Sequence, residues 1–495
     1  MIQPVFLEVA VLITGLFLLI YESFAEDRDK GFVAGMGIAA LTLVLIASFF
    51  VVPAVNGAGP LPGYLRFYGA DALALFFKRI ALITTIIVLV ISLEYRDVVR
   101  RFIYGAHSDA GIGEFYTLPI FTCAGLMWMA SAIDFVMIFV SLELVTISFY
   151  ILVAYMRRNS QSLEAGVKYL VLGALSTGFF VYGVTWIFGI TGTTNLAQAA
   201  IAMRSLPSCQ GPLLFGFMLV LVGLGFKIAA VPFQFWVPDV YQGAPTPITA
   251  FLSVGSKSAG FVVLIRVVQT FLSVPELHGK IIAVLSAVAA LTLLYGNLAA
   301  LPQNNLKRLL AYSSIAHAGY LLIAIASLSG AAAVSAIGFY LAGYLAMTLL
   351  SFLVIVVVAN AAGGDDIIHF NGLGMRSPGL AFALLVAMLS LAGVPLTAGF
   401  FGKFFVFAAA IDQGHYALSA IGILTVGAGF YYYLKVVRAM YWLEPAETAP
   451  IPVSRLARVT MIALAASIFF FGVYPAPILN SLSAPPAPPV LAVSR

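Results

Sequence analysis

The sequence predicts an all-α polytopic membrane protein, and three observations lead there. Of 495 residues, 62% are hydrophobic and only 9% charged, where a soluble chain carries about 25% charged residues. The mean hydropathy is +1.06. Apolar runs of roughly 20 residues, the length needed to cross the hydrocarbon, recur along the whole chain and number about fourteen. Finally, two runs carry a Val-Pro break beside a lysine: GLGFKIAAVPFQFW, with Lys227 and Pro232, and LAGVPLTAGFFGKFF, with Pro395 and Lys403. They stand five runs apart, and an odd offset inverts the second copy in the membrane. Inverted repeats, each with one broken helix, are a transporter signature, because a break frees backbone dipoles near midplane.

In order, the runs fall at 2–20, 32–52, 70–92, 114–131, 133–155, 164–190, 211–235, 245–271, 280–300, 306–328, 331–359, 378–411, 416–442 and 455–475. The first has no basic n-region and no cleavage site, so it reads as a retained helix. Connections such as 93–113 and 191–210 leave no room for a soluble domain. Pro485 to Pro489 read as part of a disordered tail.

Loops after odd-numbered runs hold Arg28, Lys30, Arg96, Arg100, Arg101, Arg157, Arg158, Lys307, Arg308, Arg376, Arg455 and Arg458. Loops after even-numbered runs, with the tail, hold Arg66, Arg204, Lys280 and Arg495. The positive-inside rule makes the first set cytoplasmic and turns both termini outward.

Other function classes lack their motifs. Cys123 and Cys209 show no ligand spacing, and there is no HExxH, GxxxxGK[ST] or GxGxxG, so neither metal nor nucleotide is suggested. Nothing interleaves basic and aromatic residues as a nucleic-acid binder would.

What remains is a small set of ionisable residues at depth, where even low estimates put the cost of a charge at about 2.5–3.5 kcal/mol. Glu143, in FVSLELVTISFY, is a functional candidate; its bland alternative is a neutral glutamate bonded to a neighbouring helix. Lys168 follows Glu164 by four residues, which suits both a surface ion pair with a snorkelling lysine and a functional site. Lys227 would reach the headgroups if its helix ended at Val231, but the apolar run resumes through Phe233, Phe235 and Trp236. Lys257 and Lys403 sit near the centres of their runs, far from either surface. His317 shares a polar stripe with Ser313 and Tyr320; a histidine so placed is more often a satisfied core residue, though a proton relay would use the same groups. Asp71, Lys78, Arg79, Asp134 and Arg266 lie nearer run ends and read as solvated anchors. One carboxylate and several lysines on successive helices suit a proton path better than a solute pocket. A carboxylate about 4 Å from a lysine, at an effective dielectric of 20, is worth roughly 4 kcal/mol, so moving it can switch the lysine.

The run GLGFKIAAVPFQFWVPDVYQGAPTPITAFLSVGSK resembles the core motif of the antiporter-like subunits of proton-pumping NADH:quinone oxidoreductase, respiratory complex I, and DVYQGAP resembles the N type. SLELVTISFYILVAY, EAGVKYLVLGALSTGF, NLKRLLAYSSIAHAGYLL and AGVPLTAGFFGKFFVF agree, so the resemblance covers most of residues 110–440. It implies a fourteen-helix fold: an N-terminal three-helix segment (1–110), two inverted five-helix bundles (111–275 and 276–443), and a last helix with the tail (444–495). It implies proton-translocating roles for Glu143, Lys168, Lys227, Lys257, His317 and Lys403. The chain would then hold no cofactor itself; NADH, FMN, iron–sulfur clusters and quinone belong to partner subunits. Those partners would include M- and L-type and small membrane subunits, in a bacterial cytoplasmic membrane. A multisubunit cation/proton antiporter and a proton-pumping hydrogenase complex share the fold and stand as alternatives.

Overall fold

The computed structural model describes residues 3–24, 30–53, 66–103, 112–445 and 449–482. Arg28, Arg495 and the Pro485–Pro489 tail lie outside them. The described chain is all helical, without strands. Twelve helices among these residues are long and apolar enough to cross a membrane, and the protein is a multi-pass membrane protein.

Helices α1 (Val5–Phe24), α2 (Lys30–Ser48) and α3 (Ala72–Glu94) form the N-terminal segment, followed by a short basic helix, α4 (Arg96–Ile103). Next come α5 (Ile112–Ser131), less apolar than the twelve, α6 (Phe135–Val153), α7 (Ser160–Thr191), α8 (Leu196–Arg204) and α9 (Gln210–Ile228). Two short helices, α10 (Trp236–Gly243) and α11 (Thr246–Phe251), precede a π-helical turn, Leu252–Ser256, and α12 (Lys257–Leu272). The second half holds α13 (Pro275–Ala300), α14 (Leu306–Ala326), α15 (Ala333–Ala362), α16 (Leu373–Arg376), α17 (Pro378–Ala392), α18 (Ala398–Asp412) and α19 (Tyr416–Trp442). Finally α20 (Arg455–Val473) and α21 (Ala476–Leu482) pack back against α15.

Where the sequence predicts one long run at 378–411, the chain makes two helices of 15 residues each. Gly393 (φ 94°) ends α17 in the left-handed region, Leu396 (φ 68°) follows there too, and helix resumes at Ala398. Likewise α9 stops at Ile228 because Ala229 turns left-handed (φ 66°), and helix returns only at Trp236. A proline lacks the N–H that would continue the helical ladder, and Pro232 and Pro395 sit inside these two gaps.

Two loops are closed alike. Asp134 caps α6, accepting from the Val136 N–H at 2.8 Å, and bridges to Asn195; Asn305 caps α14, accepting from the Arg308 N–H at 3.0 Å, and bridges to Asp366. Each bridge joins residues 61 apart in the chain. Helices α7 and α15, of 32 and 30 residues, both end on a left-handed glycine, Gly192 and Gly363.

The helices at the centre are enclosed on all sides. Nearly every residue of Thr246–Leu272 and Leu306–Ala326 is buried, whereas most residues of α7, α1 and α2 are not, as in lipid-facing helices. Close approach between helices relies on small residues. A Cβ on Gly296 would come within 2.4 Å of the Ala316 backbone nitrogen, which locks α13 against α14. Gly296→Val is therefore expected to lower the melting temperature of the detergent-solubilised protein. Overpacking of this kind typically costs about 1–3 kcal/mol, and an unchanged transition in a thermal-shift assay would show that the two helices can part freely.

Candidate functional site

Lys227 lies in the last turn of α9, yet it is only 4% exposed. The helix end is folded inward, so the lysine has no path to headgroups. Its Nζ donates to Thr146 Oγ1 on α6 and lies 5.9 Å from the Tyr169 ring centroid. The Trp236 indole donates to the carbonyl of Phe226 at 3.0 Å, tying the start of α10 to the end of α9. Glu143 is half-buried on α6 and accepts from Thr177 Oγ1 at 2.8 Å. It acts on Lys227 electrostatically but does not form an ion pair with it.

Lys257 opens α12 directly after the π turn, a local widening that is frequent at functional sites. It is 2% exposed, and its Nζ donates to both the carbonyl and the hydroxyl of Ser314 on α14. The same hydroxyl bonds Tyr241 at 3.1 Å, and the ammonium stands 5.3 Å from the Tyr344 ring centroid. His317, one turn along α14, lies 5.0 Å from Tyr344 between ring centroids. Its Nδ1 meets the Tyr340 hydroxyl at 2.7 Å and its Nε2 the Tyr433 hydroxyl at 3.1 Å, while Tyr433 also bonds Ser313. Beyond it, Tyr320 meets the imidazole edge-on, 6.1 Å between centroids, and presents its face to Lys403, whose Nζ is 5.2 Å from the ring centroid.

Lys403 on α18 reaches back across the gap. Its Nζ donates to the last carbonyls of α17, Leu391 at 3.0 Å and Ala392 at 2.7 Å. A cation there meets the negative end of a helix dipole as well as two free acceptors. None of Lys227, Lys257 and Lys403 forms an ion pair among the described residues.

Lys168 stands apart from this line. Its side chain is 41% exposed and pairs with Glu164 and Asp239, each at 2.7 Å; Asp239 also pairs with Arg308 at 2.8 Å. Burial pushes the Asp239 carboxyl up, but the hydrogen bonds from Lys168 and Arg308 outweigh it and hold the group below the ordinary carboxylate range. The network thus contributes at neutral pH and is lost only as pH falls through that depressed value.

Residues 132–429 match the family described as NADH:quinone oxidoreductase/Mrp antiporter, TM. The chain belongs to that family. The NADH-quinone oxidoreductase subunit N of Desulforamulus reducens is 39% identical over 476 residues, 95% of each chain. A chain of Thermus thermophilus respiratory complex I is 31% identical with a TM-score of 0.77, covering 96% of this chain and 99% of its own. A chain of the archaeal membrane-bound sulfane sulfur reductase is 26% identical with a TM-score of 0.83, covering 97% and 96%.

In this member of the NADH:quinone oxidoreductase/Mrp antiporter family, the structure brings Lys257, His317 and Lys403 into one polar and aromatic line and places Lys227 and Glu143 beside it. Tyr241, Tyr344, Tyr340, Tyr433 and Tyr320 fill the intervals; of these, sequence reasoning picks out only Tyr320, in the stripe of His317. Their signal was weak because a tyrosine in an apolar run looks like any interfacial aromatic. The anchoring expectation fails for Lys78, which is fully buried against Glu8 at 2.8 Å. Arg266 is also largely enclosed, with 9% of its side chain exposed, in a bidentate pair with Asp71 at 2.8 and 2.9 Å. Asp134 is 3% exposed and acts as a helix cap rather than a solvated anchor.

Proposed function

We propose that the chain is a proton-translocating membrane-arm subunit of NADH:quinone oxidoreductase, moving protons along Glu143, Lys227, Lys257, His317 and Lys403 while NADH oxidation and quinone reduction proceed in partner subunits. The observation that carries this reading is that three buried lysines lie without a carboxylate partner among the described residues, each held by a hydroxyl or by backbone carbonyls, with His317 in the interval between Lys257 and Lys403. Structural lysines at depth are paired, because an unpaired ammonium there is costly. A lysine held by neutral groups alone is poised to give its proton up and take it back.

Two inverted five-helix repeats fit the same reading. The matched loop closures at Asp134–Asn195 and Asn305–Asp366, the paired long helices ending on glycine, and the two interrupted helices support it. In this arrangement both termini face outward in a bacterial cytoplasmic membrane, and M- and L-type subunits are neighbours in the arm. Lys168, with Asp239 and Arg308, occupies a half-exposed face from which a charge on a neighbour could act on the line. Its role is to link charge outside the bundle to Tyr241, which follows Asp239 on α10 and bonds Ser314.

Membrane vesicles carrying the assembled complex test the reading. Glu143→Gln or Lys227→Met is expected to lower dye-detected proton uptake and quinone-linked NADH oxidation together, by about tenfold or more if the groups act as acid and base. Wild-type pumping in either variant would overturn it.

A further inference from the structure

A second buried charge cluster lies outside this line. Glu8 on α1 and Lys78 on α3 pair at 2.8 Å, with side chains 0% and 1% exposed. The Tyr68 hydroxyl donates to both Glu8 oxygens, at 3.1 and 3.3 Å, and accepts from Lys78 Nζ, which stands 4.6 Å from the Tyr68 ring centroid. On one side, Asp71 and Arg266 lie within electrostatic reach of Lys78, and Asp71 keeps 30% of its side chain exposed. On the other, α3 meets α5 and the π turn at a narrow crevice lined by Phe77, Ile80, Ala81, Leu126, Gly255 and Ser258. The Ser258 hydroxyl, next in sequence to Lys257, is buried there without a hydrogen-bond partner.

A buried ion pair alone is weak evidence of function, since it can serve to pin two helices. Here the pair has a bridging phenol, a partly exposed Asp71 at one edge and, along α3, a narrow crevice whose lining includes Ser258, the residue after Lys257. We infer that Glu8, Tyr68 and Lys78 form a proton-holding site between Lys257 and the water at Asp71. This rests on Lys257 carrying protons. When the crevice opens, the proton leaves Lys257 Nζ past Ser258 and binds a Glu8 oxygen, which breaks the ion pair and leaves Lys78 charged. The Lys78 ammonium, left without its carboxylate, then favours release of that proton toward water at Asp71, and the pair re-forms.

The test uses the assembled complex in vesicles. Glu8→Gln/Lys78→Met removes both charges, so a mere pin is replaced by neutral groups at little cost, whereas a proton-holding site is lost. The double variant is expected to assemble and to lose proton uptake and NADH oxidation several-fold. Tyr68→Phe keeps the ion pair and decides the matter should the double variant not assemble; a several-fold fall is again expected. In wild type, the NADH-reduced minus oxidised infrared difference spectrum should contain a protonated-carboxyl band that Glu8→Gln removes. Wild-type rates in the assembled double variant or in Tyr68→Phe, or a band unchanged by Glu8→Gln, would overturn the inference. Lys257→Met, run alongside, separates the failures. If it pumps normally, the main proton path is wrong; if it fails while the cluster variants pump, Glu8–Lys78 is only a pin.

Discussion

Lys257→Met is expected to abolish proton uptake by the assembled complex, and Lys257→Arg to lose most of it as well. The contrast with an ordinary buried lysine is the point. Lys257 donates to the carbonyl and hydroxyl of Ser314 and has no carboxylate to neutralise, so the methionine side chain leaves no unpaired charge behind and the fold should survive. Arginine keeps the positive charge but has a pKa above about 12 and effectively never deprotonates. If the residue works by passing protons, both changes fail, by about tenfold or more in rate. If it works as a fixed charge, arginine rescues and methionine does not. Proton uptake normalised to assembled complex distinguishes the outcomes, and full activity of Lys257→Arg would remove this lysine from the proton line.

Lys403 is expected to show two losses, of assembly and of pumping, where Lys257 shows one. Its ammonium satisfies the Leu391 and Ala392 carbonyls at the end of α17, so Lys403→Met strips partners from two buried acceptors. Each costs about 1–3 kcal/mol, and the variant should assemble poorly as well as pump poorly. Lys403→Arg can still donate to both carbonyls and should assemble at close to wild-type levels, yet lose pumping for want of a removable proton. Native gels for assembly, with dye-detected uptake for activity, read the two effects apart. An arginine variant that pumps normally would leave Lys403 as a helix cap alone.

Much of this arrangement was legible because a charge in an apolar run is conspicuous. The burial of Lys227, Lys257, His317 and Lys403 follows from one-dimensional depth in their runs, and the helix interruptions from Pro232 and Pro395. Lys78 was misread for the opposite reason. It lies two turns from the start of α3 and looks close to water, but residues 66–71 fold across it, with Gly69 donating to the Ser131 carbonyl at 2.6 Å and Tyr68 covering the ammonium. That closure is non-local, and no local pattern announces it. Glu8 escaped notice because it sits near the beginning of its run, where an acid is unremarkable in an N-terminal turn. Asp239 was visible within DVYQGAP but silent about its partners, which come from α7 and α14. The exposure of Lys168 depends on which face of α7 packs inward, and an apolar run with lipid on one side and protein on the other gives little periodicity to decide it.

The two loop closures bear on how such a chain is made. Asp134–Asn195 and Asn305–Asp366 each tie together residues 61 apart, and neither borrows a partner from the other half. The first can therefore clasp soon after residue 195 leaves the ribosome, before any of α13 to α19 has been synthesised. Domains generally form as units during synthesis, N-terminal first, and here the clasp would hold α6 and α7 in register while α9 and its inward-turned end are still arriving. A lysine such as Lys227 would then enter a cavity whose walls already stand, and would not have to wait in lipid for them.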